Sequence, residues 1–144
     1  MYTVQRSALV FHSAEKMSML VNDVDRYQEF LPWCGGSRVI TSSAVEMTAE
    51  ITIAFSGIRR SFTTRNRLVG HEKTIVSLVE GPFRSLQGGW TYKVLEDNAS
   101  KISLDLEFDF ANLVTEKIVG PAFKAIADSM VTSFCERADA VYGK

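Results

Sequence analysis

The chain predicts an α+β fold: a curved antiparallel sheet of about seven strands, in the order β-α-α-β6-α, wrapped around a long C-terminal helix with an internal apolar cavity. Three observations predict it. An alternating start gives way to two short apolar stripes of helical period; residues 37–111 alternate with period two between turn signals; and from residue 112 onward apolar residues recur every four positions. A strongly twisted sheet of this size curls, and one helix on its concave side need not fill the whole groove.

Tyr2 to Phe11 alternate as a strand, and Ser13 then caps a helix whose Glu15 suits the positive end of the helix dipole. Lys16 stands where a full capping box would have Glu or Gln. Met17, Leu20 and Val21 form an apolar stripe that Asn22 and Asp23 interrupt, and Val24, Tyr27, Phe30 and Leu31 resume it as a second short helix ending at Pro32. Pro32 pushes Leu31 toward an extended conformation and carries Trp33 onto an irregular segment, a candidate lid over an interior pocket. Thr41-Ser42-Ser43, Ser56-Gly57, Gly70-His71, Gly81-Pro82 and Asp97-Asn98 punctuate a meander of about six strands. The last strand is the clearest, with Ile102, Leu104, Leu106, Phe108 and Phe110 alternating against Ser103, Asp105, Glu107 and Asp109. Asn112 caps the long helix, whose stripe runs Val114, Ile118, Ala122, Ile126, Met130, Phe134, Ala138, Tyr142 and is widened by Phe123, Ala127 and Val131. Gly120-Pro121 is expected to kink or divide that helix and to act as a hinge.

Composition sets the class. With 144 residues, 46% of them apolar, one domain spanning 1–144 is expected, with no repeats or linkers to divide it. A net charge of -1 argues against a polycation made for DNA, so any RNA contact must come from a local patch. Cys34 and Cys135 lie far apart with no His at metal spacing, which points to reduced thiols and no metal site. The start lacks a basic head with an apolar run, and no segment approaches the ~20 apolar residues of a membrane span, so a soluble cytoplasmic protein is expected. No catalytic residues emerge. His12 and His71 fall at a strand end and a turn, where single histidines are mostly exposed; Asp105, Glu107 and Asp109 sit on a wet face; and Gly35-Gly36 opens a strand instead of a helix.

Asn22-Asp23-Val24, Tyr27-x-x-Phe30-Leu31-Pro32-x-Cys34, Phe62-Thr63-Thr64-Arg65-Asn66, Gly81-Pro82-Phe83, Leu86-x-Gly88-Gly89-Trp90 and the tail from Ala138 to Gly143 occur in a specific order. In that order and spacing the chain resembles the START-like, helix-grip superfamily and, within it, the coenzyme-Q-binding family with its RatA-like branch of ribosome-association inhibitors. Two departures stand out: Gln28 occupies a position where the family usually has Pro, and Ile51 to Phe55 is more apolar than the family pattern, which would make a cavity drier. The resemblance implies a non-enzymatic protein that binds a polyprenyl quinone such as ubiquinone, or another lipid, and supports respiration as a carrier or chaperone. The alternative it implies is a toxin that binds the large ribosomal subunit and blocks subunit association and translation initiation. No cofactor is required, and transient membrane contact fits either role. Some relatives in the wider superfamily catalyse cyclisation or hydrolysis, but no acid and base are paired in the expected pocket.

The strands supply the candidate pocket. If the turn from Ser56 to Arg59 sets Ile53 opposite Phe62, then Ile51, Ile53, Phe55, Phe62, Thr64, Asn66 and Leu68 face inward, and Glu50, Thr52, Thr63, Arg65 and Arg67 outward. Thr64 and Asn66 are then rare polar groups on an apolar wall, able either to orient a ligand or to bond water and backbone near the rim. Trp90 and Tyr92 point inward toward Phe123, Ile126 or Met130, where core packing alone accounts for them. Gly88-Gly89 marks a bulge or a close backbone approach, and Gly81-Pro82 a turn presenting a partly covered Phe83. The ligand-binding set is then Ile53, Phe55, Phe62, Thr64, Asn66, Trp90, Tyr92, Phe108, Phe123, Ile126 and Met130, with Pro32 and Trp33 as a portal under the Gly120-Pro121 hinge. Arg59, Arg60, Arg65, Arg67, Lys73 and Arg84 are the candidate contacts to ribosomal RNA phosphates, with Glu50 expected opposite Arg65 as a cross-strand pair.

Overall fold

A computed structural model, describing residues 1–143, contains one antiparallel seven-stranded sheet, two α-helices and a 3₁₀ helix. Strand β1 (Tyr2–Val10) leads into α1 (Ala14–Asn22), where the Ser13 side chain accepts from the Lys16 amide as the cap requires. The second apolar stripe forms a 3₁₀ helix, Val24–Glu29. Then follow β2 (Cys34–Ser42), β3 (Glu46–Phe55), β4 (Ile58–Val69), β5 (Lys73–Glu80), β6 (Phe83–Glu96) and β7 (Ala99–Phe110), and α2 (Leu113–Tyr142) closes the order. In space the strands run β1-β7-β6-β5-β4-β3-β2, so β1 crosses over to pair with β7 and every other neighbour is a meander hairpin.

Four expectations are corrected. The β3–β4 hairpin is shifted by two residues: Ile51, not Ile53, lies opposite Phe62, and Glu50 faces Thr63, not Arg65. The cause is a tighter turn than expected, in which Ser56 and Gly57 both take positive φ (52° and 79°) and Phe55 pairs directly with Ile58. Such a two-residue turn matches the strand twist. Because the shift is even, every side chain keeps its face.

The second correction concerns α2, which is not divided at Gly120-Pro121 but runs unbroken from Leu113 to Tyr142 with Pro121 inside it. Its Asn112 side chain accepts from the Thr115 amide. Pro121 forfeits one backbone bond, but Val119, Ala122, Phe123, Ile126 and Ala127 around it are buried and hold the helix together. The apolar row also slips. Val114 and Ile118 are 68% and 46% exposed, since a strict four-residue spacing drifts by about 40° per step against the 3.6-residue turn.

Third, His12 is buried: its Nε2 lies 2.8 Å from Asp139 Oδ1, tying the end of β1 to the last turns of α2. Fourth, Phe83 is buried instead of partly covered. It packs with Phe62, Phe108, Phe110 and Phe123, at centroid distances from 4.8 to 6.4 Å. That cluster fills one end of the space between sheet and helix.

A candidate ligand cavity and an outer basic face

The other end of that space is not filled. A cavity of about 90 Å³ lies between the concave face of the sheet, the α1–3₁₀ junction and α2. Of the expected ligand-binding set, Trp33, Phe62, Thr64, Asn66, Trp90, Phe123, Ile126 and Met130 line it. The remaining members do not. Pro32 is exposed, Ile53 and Phe108 are fully buried in solid core, and Phe55, at the hairpin end of β3, is 39% exposed. Tyr92 is buried, with its hydroxyl 2.9 Å from Thr74 Oγ1. Trp90 meets α2 edge-on at Phe134, farther along the helix than Phe123, Ile126 or Met130, with ring centroids 5.2 Å apart.

Sequence reasoning missed other parts of the wall: Val21, Val24 and Tyr27 from the two short helices, Thr74 and Val76 from β5, Leu86 from β6, and Ala127 from α2. Their signal was present as the interrupted stripe around Asn22-Asp23. That interruption turns Val24 and Tyr27 back over the sheet, where Tyr27 donates to the Val21 carbonyl and packs edge-on against Phe134. Leu104 and Leu106, from the strand with the clearest alternation, and Ile51, already expected on the inner face of β3, complete the wall.

The wall is almost wholly apolar, and among the described residues no Asp, Glu, His, Lys or Arg lines it. Burial raises the pKa values of the Tyr27 and Tyr92 phenols well above the ordinary range, so both are neutral donors at physiological pH. Asn66 Oδ1 accepts from Thr64 Oγ1 at 3.0 Å, and Thr74 Oγ1 donates to Asn22 Oδ1 at 2.8 Å. The Trp33 indole Nε1 is buried with no hydrogen-bond partner. Trp33 itself is held by its carbonyl, which accepts from the Ala54 amide at 2.7 Å.

The segment beside Trp33 is clamped to α2. Phe30 packs on Phe134 with centroids 5.3 Å apart, and the Arg137 guanidinium covers the Phe30 ring at 4.8 Å while pairing with Glu29. The expected portal therefore consists of an exposed Pro32 beside a buried, packed Trp33.

On the outer side of the sheet, Arg59, Arg65 and Arg67 share one face of β4, and Lys73 on β5 lies opposite Val69. Arg65 pairs with Glu46 at 3.4 Å, and Glu50 pairs with Arg38 at 3.0 Å. Among the described residues, Arg59, Arg67, Lys73 and Arg84 make no salt bridge. Arg60 has inward parity but is exposed at the hairpin end, and Arg84 stands apart beside the β6 bulge. The opposite part of this face carries Asp105 and Glu107 on β7.

Residues 10–135 match the family described as polyketide cyclase / dehydrase and lipid transport. The chain belongs to that family. Its architecture is that of the START-like, helix-grip fold, and it superposes on the Zhui aromatase/cyclase of a Streptomyces species with a TM-score of 0.84, over 96% of this chain and 93% of that one, at 12% identity. In sequence, this family member is 46% identical to the ribosome association toxin RatA of Pseudomonas aeruginosa, over 97% of each chain. It is 24% identical to the mitochondrial coenzyme Q-binding protein COQ10 homolog B of Xenopus laevis, over 96% of this chain and 58% of that one.

Proposed function

We propose that the protein is a non-enzymatic, cytoplasmic inhibitor of ribosomal subunit association that binds the large subunit. The observation that carries this reading is the 46% identity, spanning nearly the whole of both chains, to a relative named for ribosome association. The unpaired cations of the outer face give it a physical means, since arginine and lysine side chains free of carboxylate partners are available to phosphates. Sucrose-gradient profiles of ribosomes with excess protein, at low salt where phosphate contacts are strongest, test it. A fall in joined ribosomes with a rise in free subunits is expected; an unchanged profile would remove the reading.

A second reading is favoured by the cavity: binding of an apolar small molecule of the lipid or polyprenyl quinone kind. The two roles use opposite sides of the sheet and are compatible. As it stands the cavity is smaller than the ~150 Å³ of an engineered apolar cavity that accepts benzene, so a quinone ring requires it to widen. Lipid extraction from purified protein followed by mass spectrometry is the test, with a co-purifying apolar ligand as the expected result.

A further inference from the structure

We infer that the cavity selects neutral molecules presenting a hydrogen-bond-accepting oxygen, such as a ketone or quinone carbonyl, and that the Asn66 amide and the Trp33 indole are the groups that read it. The inference rests on the cavity being a ligand site at all. Its ground is an imbalance among the polar atoms of the wall.

The acceptor is engaged: Asn66 Oδ1 takes the Thr64 hydroxyl proton. The hydroxyls are engaged too, Tyr27 with the Val21 carbonyl and Thr74 with Asn22 and Tyr92. Two N–H donors are left. Asn66 Nδ2 makes no hydrogen bond among the described residues, and Trp33 Nε1 is there a buried N–H without a partner. Both residues are more than nine-tenths buried, Asn66 at 8% and Trp33 at 6% exposure. A buried donor without a partner, as Trp33 Nε1 is, is rare and unfavourable, and a ligand oxygen would relieve it; the Asn66 amide adds a second donor with no bond of its own.

The same wall discriminates against other heads. A hydrocarbon leaves both donors unpaired. A carboxylate gives up its water with no Lys, Arg or His in the lining to replace it. Both donors are also held in place, Asn66 by its register between Met47 on β3 and Val76 on β5, Trp33 by the Ala54 amide on its carbonyl. The arrangement presents donors to an acceptor with little reorganisation.

The test uses the full chain and three probes of equal length, 2-heptanone, heptane and heptanoate, with binding followed by NMR. The Trp33 indole N–H signal is assigned by its loss in Trp33→Phe. The ketone is expected to bind roughly five- to tenfold more tightly than the alkane and to shift that signal, as one or two neutral hydrogen bonds would do. Heptanoate is expected to bind more weakly than the ketone. Asn66→Leu and Trp33→Phe should each reduce the ketone's advantage while leaving alkane binding in place; Trp33→Phe keeps an aromatic body and so guards against a folding defect in the other. Equal affinity for ketone and alkane, or an advantage that survives in both variants, overturns the inference while leaving a ligand cavity standing. Failure of all three probes to bind overturns the ligand reading and this inference with it.

Discussion

At Gly88 and Gly89 the backbone leaves no room for a side chain. A Cβ on Gly88 would fall 2.0 Å from the Asp105 carbonyl oxygen, and one on Gly89 2.1 Å from that of Thr74, with φ at 141° and 156°. The paired glycines are legible in sequence as a bulge or a close approach, and the unbroken register from Gln87 to Thr91 decides for the approach. Gly88→Ala should cost about 3 kcal/mol or more, since the β7 backbone at Asp105 and Leu106 must move. Gly57→Ala, at positive φ but with open space around it, should cost only about 1 kcal/mol. Urea unfolding of the two variants measures the contrast. The buried phenols set the alkaline limit. Tyr27 and Tyr92 keep their protons in the folded state above the unfolded value near 10, so the unfolded chain releases them first as pH rises. Their contribution is complete below pH 10 and is lost above it, at up to about 1.4 kcal/mol per pH unit for each group. Unfolding midpoints measured from pH 8 to 11.5 should be flat and then fall; a flat profile to the end would place these phenols in solvent. His12 shows where single residues escape sequence reading: its partner Asp139 lies 127 positions away, and nothing local announces the pair.

The secondary-structure elements were the most legible level, because each carries its own periodicity. The alternation of β7 and the cap at Asn112 appear where the pattern puts them. What escaped was how elements meet. The two-residue slip between β3 and β4 came from the conformation of Ser56 and Gly57, which the residue types permit but do not dictate. Part of the cavity wall was missed for a similar reason, since Thr74, Val76 and Leu86 reach it only through the curl of the sheet. For α2 the buried face is now defined, and it gives a paired prediction. Met130→Lys, which sets a charge against the cavity wall, should lower stability by about 2–4 kcal/mol or abolish uptake of apolar probes. Lys124→Glu on the exposed side loses its pair with Asp128 and sets a like charge beside it, together about 1 kcal/mol or less. Thermal melts and probe binding would separate them, and equal behaviour would mean that the helix presents another face to the sheet.

At the scale of the whole molecule the sheet has two working sides. The concave one holds the cavity, and the outer one is divided between cations near β4 and carboxylates on β7. If the ribosome is met through the cationic part, Arg67→Glu with Lys73→Glu should weaken co-sedimentation with large subunits and flatten its salt dependence by roughly one to two counterions. Asp105→Lys, also exposed but on the acidic part, should not weaken it. Loss of binding in the second variant alone would move the contact across the sheet.

Among the described residues, the salt bridges and most polar ties of α2 to the rest of the fold sit in its C-terminal half, and in its first turn Glu116 meets the Tyr2 hydroxyl of β1. Arg6 holds Asp128, Glu29 holds Arg137, His12 holds Asp139, and the Lys16 carbonyl accepts from Tyr142. Before Asp128 the helix is fastened to the sheet mainly by apolar contact, and Pro121 removes a rung from its own ladder there. The two halves of the helix are thus fastened differently, by polar ties where it ends and mainly by the packing of Phe123 on Phe62, Phe83 and Phe108 where it begins. Amide hydrogens ahead of Phe123 should exchange faster than those after Asp128. A guest too large for the resting cavity would find its room by lifting the Phe123 end of the helix, with the Asp128–Tyr142 half serving as the fixed mount.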